Sequence, residues 1–300
     1  MGGHGEVSLA ALRDLGPYFA IETHQPGDPI APPWRPLTEL LGSPAALRER
    51  AHQVRAALAR AGGLAPAQVE LRVAASVGQL GLAARLIAPA FGVAVLGCRV
   101  LGADMNQARW VPGEGSMFPL SLPVAALPQA ESPDLAALSI DMKGQWLDGP
   151  VRDLVDGFAG LSVSRQILWG NVASAINGAA TMLIRSQPGL RGQATALAEG
   201  LLATPDLAGR HSGAPGGPGF RRRSCCLIYR AAPGGGAAYC GDCVLSARQP
   251  GPPPSGLTQL VAGPPPVRTS VSHQVWSGFQ PASTVAASPL TGQATPAVLR

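Results

Sequence analysis

The run "ILWGNVASAINGAATMLIR", residues 167–185, constrains the fold of this 300-residue chain more than any other stretch. Leu168, Val172, Ala175, Ala179 and Met182 recur at the spacing of one helix face, and the pattern stops before Pro188 and Gly189. Beside that stripe, Gly170, Ser174 and Gly178 recur every four residues, so a second backbone can approach this helix closely. Two further helices precede it. Ser43 and Pro44 supply an N-cap and first turn, Leu47, Ala51, Val54 and Leu58 form the apolar face, and Gly62-Gly63 ends the run. Another is expected from Pro66, with Val69, Val73, Val77, Leu80, Ala84 and Ile87 on one side, ending near Pro89. The proline-rich "WVPGEGSMFPLSLPVAALPQ" between them reads as loops with short strands. The expected class is α-rich α+β, with a mainly helical body over residues 1–205.

Composition narrows the function. A chain of this length, 46% hydrophobic, can bury a core without disulfide staples. Net charge +5 comes from 23 basic residues of which one, Lys143, is lysine; the basic residues are scattered and few aromatics stand among them, so nucleic-acid binding is not expected. The most apolar window, "LIAPAFGVAVLGC", lies between Arg85 and Arg99 and falls short of the roughly 20 residues that cross a bilayer. It is expected to be a core segment, with no integral membrane segment in the chain. The opening residues show no secretory pattern, and a cytoplasmic location is expected. His4, His24, His52, His211 and His273 have no paired ligand spacing, and "GAPGGPGF" lacks the Lys-Ser/Thr of a phosphate loop.

From Asp206 the texture changes. Residues 206–219 have the composition of a linker, residues 220–248 hold the chemistry, and residues 249–300, rich in proline and without an acidic residue, are expected to be disordered. Four of the five cysteines stand within nineteen positions: Cys225, Cys226, Cys240 and Cys243. In a reducing cytosol such clusters are metal ligands or redox centres more often than disulfides. Cys240 and Cys243 form C-x2-C across Gly-Asp, a spacing that lets two thiolates converge on one metal. Cys225 and Cys226 are adjacent. In a regular strand their side chains point to opposite faces, so both serve one centre only if the backbone bulges or the centre is wide, as a two-iron cluster is. Four thiolates suit a [2Fe–2S] cluster, but also a structural zinc ion, and a redox dithiol at Cys240 and Cys243 is a further alternative. "CCLIYR" has strand propensity, "APGGGAA" turns, and "YCGDC" can return beside it, giving a small hairpin-like module. Cys98 is expected to be an inert buried thiol.

At "RRSCCLIYR" and "CGDCVL" the sequence resembles the FhuF-like ferric siderophore reductases, whose C-terminal motif is C-C-x10-C-x2-C. "LGLAARLIAPAFG" and "LWGNVASAINGAATML" echo that family's two helical signatures more weakly. The spacing between the cysteine pairs is thirteen residues here, not ten. The resemblance implies a [2Fe–2S] cluster on Cys225, Cys226, Cys240 and Cys243. It also implies one-electron reduction of siderophore-bound Fe(III), with a ferric siderophore and an unidentified electron donor as partners. The competing expectation is an interaction or siderophore-binding protein with a four-cysteine zinc site. Trp169 and Asn171 are expected to pack and pair helices, not to bind ligand. Arg221, Arg222 and Arg223, directly before the cysteines, are expected to tune the cluster and attract an anionic partner.

Overall fold

The computed structural model describes residues 7–113, 118–127, 132, 134–231 and 239–245, and its class is α-rich α+β. The expected tail at 249–300 and the "APGGGAA" turn at 232–238 lie outside the described residues. Short helices α1 (Leu9–Asp14) and α2 (Thr38–Leu41) lead into α3 (Pro44–Gly62). As the sequence predicts, Ser43 caps α3 by accepting the Ala46 amide, and Gly63 ends it in the left-handed conformation. Leu47, Ala51, Val54 and Leu58 are all buried.

Helix α4 (Leu71–Gly97) departs from expectation at both ends. Pro66 opens a 3-10 turn, Pro66–Gln68, and the helix then runs through Pro89 to Gly97. An interior proline costs about 3 kcal/mol. Beyond it, however, Phe91, Val93 and Val95 are buried on a helix enclosed on nearly every side, worth roughly 5 kcal/mol or more together. Arg85 sits in the middle of this apolar helix, buried, and donates to the carbonyls of Tyr18, Ala20 and Phe118 at 3.1, 2.6 and 2.9 Å. Burial lowers its pKa to about 10, so the guanidinium stays charged at neutral pH. It thereby ties the N-terminal segment and the residues that lead into the sheet at Leu120 to the helical core. By length and composition α4 and the later helix α7 (Arg165–Ser186) could each cross a membrane, but their apolar windows are 89% and 72% buried within the protein.

Strands β1 (Glu22–His24), β2 (Arg35–Pro36), β3 (Arg109–Trp110) and β4 (Leu120–Pro123) form one sheet in the order β1-β4-β3-β2. β1 runs parallel to β4, and the β4–β3 and β3–β2 pairs are antiparallel. The chain continues through α5 (Leu135–Met142), a wide turn at Lys143–Val151 kinked at the non-helical Gly149, α6 (Arg152–Ala159), α7 and α8 (Arg191–Leu202). α4 packs along α7 on one side and α3 on the other, and this trio is the frame on which the cysteines are mounted.

Residues 206–219 do not behave as a flexible linker. Leu207 is fully buried, the Gly216 amide donates to Asn177 Oδ1 at 2.9 Å, and β5 (His211–Ser212) pairs antiparallel with β6 (Arg221–Arg222). The glycines that suggested a linker permit this path. Gly213 and Gly216 both have positive φ, and a Cβ at Gly216 would collide with Ile184 of α7.

Candidate metal centre

The small-residue stripe of α7 is where the cysteine segment docks. A Cβ at Gly170 would overlap the Ser224 side chain, whose hydroxyl donates to the Gln166 carbonyl at 3.1 Å. One turn on, Ser174 donates to Asp242 Oδ2 at 2.5 Å, and Asn177 Nδ2 donates to Asp242 Oδ1 at 3.3 Å. Both cysteine arms therefore rest on one helix face. They are also joined directly, since the Arg222 amide donates to the Asp242 carbonyl at 3.0 Å. On the far side Ala231 and Leu227 enter a second, smaller apolar cluster with Val54, Leu58, Val69 and Val73, and Arg230 pairs with Glu70.

The expected strand at "CCLIYR" is absent. After β6 the backbone at Leu227 has φ 70°, and Ile228–Ala231 form a 3-10 turn. A strand would point Cys225 and Cys226 to opposite faces; here the chain bends at Arg223 and Ser224, leaves the strand, and the two side chains hydrogen-bond to each other. Each pair also shields a sulfur with the amide two residues later, Leu227 N–H to Cys225 Sγ and Leu245 N–H to Cys243 Sγ, both at 3.3 Å. Cys226 and Cys240 sulfurs lie 3.6 Å apart. That matches the roughly 3.7 Å between two thiolates held tetrahedrally at about 2.3 Å on one metal. Among the described residues no three His, Cys, Asp or Glu side chains converge on a single ion. A two-iron cluster instead needs only two thiolates at each iron.

Sequence reasoning treated the three arginines alike, but the structure separates them. Arg222 is 1% exposed and donates from Nη2 to Cys240 Sγ at 2.6 Å and from Nη1 to Asn171 Oδ1 at 2.6 Å. Asn171 in turn donates to the Ser76 carbonyl and to Gln79 Oε1 of α4. A buried cation is thus held against the sulfurs by a polar chain crossing α7 to α4. Burial opposes its charge, and the Cys226 and Cys240 sulfurs more than offset this, raising its pKa. Arg221 bonds backbone carbonyls at a cleft, and Arg223 is exposed.

Hydrogen bonds from Cys225 and Cys240, helped by Arg222, hold the Cys226 thiol well below its usual range. The same bonds to Cys226, with burial, push the Cys225 and Cys240 thiols up. One thiolate is stable beside one guanidinium, and further thiolates need further positive charge. This donor set fits a cationic metal centre, and the Arg222 Nε, buried and without a hydrogen-bond partner among the described residues, marks the same spot as polar and incomplete. Asn171 is the residue whose importance the sequence understated; it packs helices, as expected, but by holding Arg222. Trp169 is buried with Arg152 stacked over its ring. Cys98 stands apart as the half-buried left-handed cap of α4.

Fold and site together define an α-rich protein in which four free thiols, Cys226 and Cys243 buried and Cys225 and Cys240 partly so, gather beside a buried arginine. Residues 222–245 match the FhuF 2Fe-2S C-terminal domain, and this identifies the cofactor as a [2Fe–2S] cluster. The match begins at the buried Arg222 and ends at Leu245, whose amide caps Cys243. It supports the resemblance to the FhuF-like proteins. No curated protein matches the chain.

Proposed function

We propose that this protein is a cytoplasmic ferric siderophore reductase whose [2Fe–2S] cluster is held by Cys225, Cys226, Cys240 and Cys243. The observation that carries the reading is the buried Arg222 guanidinium against Cys240 and Cys226, a fixed positive charge beside sulfurs that a merely structural site would not require. Bound there, the cluster supplies one electron at a time. The chain's own residues bind and shield it. The amides of Leu227 and Leu245 donate to sulfur, Arg222 offsets negative charge, and Ser174 with Asn177 fixes the Asp242 turn between Cys240 and Cys243. The substrate is Fe(III) in an oxygen-rich chelate. Gaining one electron converts it to Fe(II), a softer ion the chelate holds far more weakly, and the iron is released without a protein nucleophile or hydride. An external reductant restores the electron, and the reducing cytosol suits four free thiols.

The test is anaerobic purification with absorption and EPR spectroscopy, followed by mixing of the reduced protein with a ferric siderophore in the presence of a ferrous-iron trap. Sulfur-to-iron absorption, a reduced [2Fe–2S] signal and trapped Fe(II) are the expected results. A colourless, zinc-loaded protein would overturn the reading in favour of a structural staple.

A further inference from the structure

Beside the cysteines opens a cleft of about 590 Å³, within the range that accepts a ligand of drug size. Its floor is α4 and α7, apolar at Leu80, Ala84, Ala88 and Met182. One wall is the strap at Gly216–Pro218, and Cys240, Gly241 and Asp242 line it directly. Three arginines, Arg185, Arg191 and Arg221, also line it. Among the described residues none of the three pairs with a carboxylate: Arg221 donates to the Pro218 and Phe220 carbonyls, and Arg185 and Arg191 are exposed. The one acid in the lining, Asp242, has both carboxylate oxygens engaged by Ser174 and Asn177. The cleft thus joins an apolar floor to an excess of positive charge, three arginines against the one carboxylate of Asp242, which Arg221 also faces, with Cys240 in its wall.

Resting on the reductase reading, we infer that this cleft is the substrate site and that Arg185, Arg191 and Arg221 select ferric chelates of net negative charge, those with catecholate or carboxylate donors, over neutral ones. The apolar floor receives the organic framework of the chelator. The arginines meet its anionic iron-binding groups, and their positive charge raises the local concentration of an anionic complex and not of a neutral one. Cys240 in the lining leaves the metal centre within reach of the bound iron without any domain movement. Gly178 of α7 keeps the volume open, because a Cβ there meets nothing within 4 Å.

Equilibrium dialysis of the cluster-loaded full chain tests this, using radio-iron complexes of a tris-catecholate and a tris-hydroxamate of similar size, the first trianionic and the second neutral. The anionic complex should bind at least about tenfold tighter, with the preference shrinking as salt rises. Arg185→Gln with Arg191→Gln, both at exposed positions, should remove most of that preference and leave the neutral complex unaffected. Gly178→Phe should weaken both complexes while the cluster absorption stays as in wild type. Equal binding of the two complexes, an undiminished preference in the double variant, or full binding by Gly178→Phe would each overturn the inference. Reduction is scored separately. A complex that binds in the cleft and is not reduced overturns the reductase reading and leaves the site standing, whereas reduction of both complexes with no charge preference overturns the selection and leaves the reductase.

Discussion

Replacing Arg222 by glutamine removes one buried positive charge next to the sulfurs and should lower the reduction potential of the cluster. The guanidinium donates to Cys240 Sγ at 2.6 Å and is 1% exposed, so little water screens it. Reduction adds one negative charge, and a cation near that charge stabilises the reduced state more than the oxidised one. Taking an effective separation of about 5 Å and an effective dielectric constant of about 20, one charge pair is worth roughly 3 kcal/mol. For a one-electron couple, with a tenfold change equal to 59 mV, that is a drop on the order of 100 mV. Arg222→Lys keeps the charge but cannot bridge Cys240 and Asn171 together, and should recover much of the potential while loosening the network. Arg223→Gln, at an exposed position, should shift it by no more than about 20 mV because solvent screens that charge. Potentiometric titration followed by EPR gives the three values, with circular dichroism and iron content checking that each variant folds and loads. A loaded Arg222→Gln protein with a potential within about 20 mV of wild type would refute the electrostatic role of this residue.

Serine at Cys225, Cys226, Cys240 or Cys243 should each sharply reduce iron and sulfide content, and Cys98→Ser should not; full retention in Cys226→Ser would remove the adjacent pair from the ligand set. Gly170→Leu should leave the helical circular dichroism near wild type but cut cluster loading, because the new side chain takes the space of Ser224; unchanged iron content would show that the segment docks elsewhere. Arg85→Met should destabilise the fold by about 3 kcal/mol or more, since three carbonyls lose their donor, and urea unfolding that moves by less than about 1 kcal/mol would contradict that role.

Local rules were legible where local physics decides. The Ser43 cap, the Gly63 stop and the apolar faces of α3 and α7 follow from spacing and capping chemistry, and the structure keeps each of them. Pro89 was misleading because its cost is local while its compensation is tertiary: residues around and beyond it are buried, which one sequence does not display. The strap at 206–219 was misleading in the opposite way. Glycine composition suggests freedom, whereas here glycine serves positive φ and close approach to α7. The strand expected at "CCLIYR" failed at Leu227, a β-favouring neighbourhood that nonetheless takes φ 70°. At the candidate metal centre the cysteines were legible as neighbours in the sequence, but the distinct placements of Arg221, Arg222 and Arg223 were not, because adjacent identical residues carry no sign of which one is buried.

That separation of three consecutive arginines also links the parts of the site. β6 ends the strap, so the side chain of Arg222 turns inward against Cys240 and Asn171, while Arg221 lines the cleft. The Asp242 turn, between Cys240 and Cys243, is fixed from two directions: its carboxylate by Ser174 and Asn177 of α7, and its carbonyl by the Arg222 amide. Asn177 holds the strap as well, by accepting the Gly216 amide. One face of α7 therefore positions the Asp242 turn between the cysteines, the buried Arg222 and the wall of the cleft. A disturbance of the cleft that moves Asn177 should reach the Asp242 turn, whereas a Cβ at Gly178 would meet nothing within 4 Å, so this is the position at which the cleft can be filled with least disturbance of the thiols. The electron-transfer and substrate-binding roles assigned here are separable by mutation only because the helix presents them on successive turns, Gly170 to Ser224, Ser174 to Asp242, and Gly178 to open space.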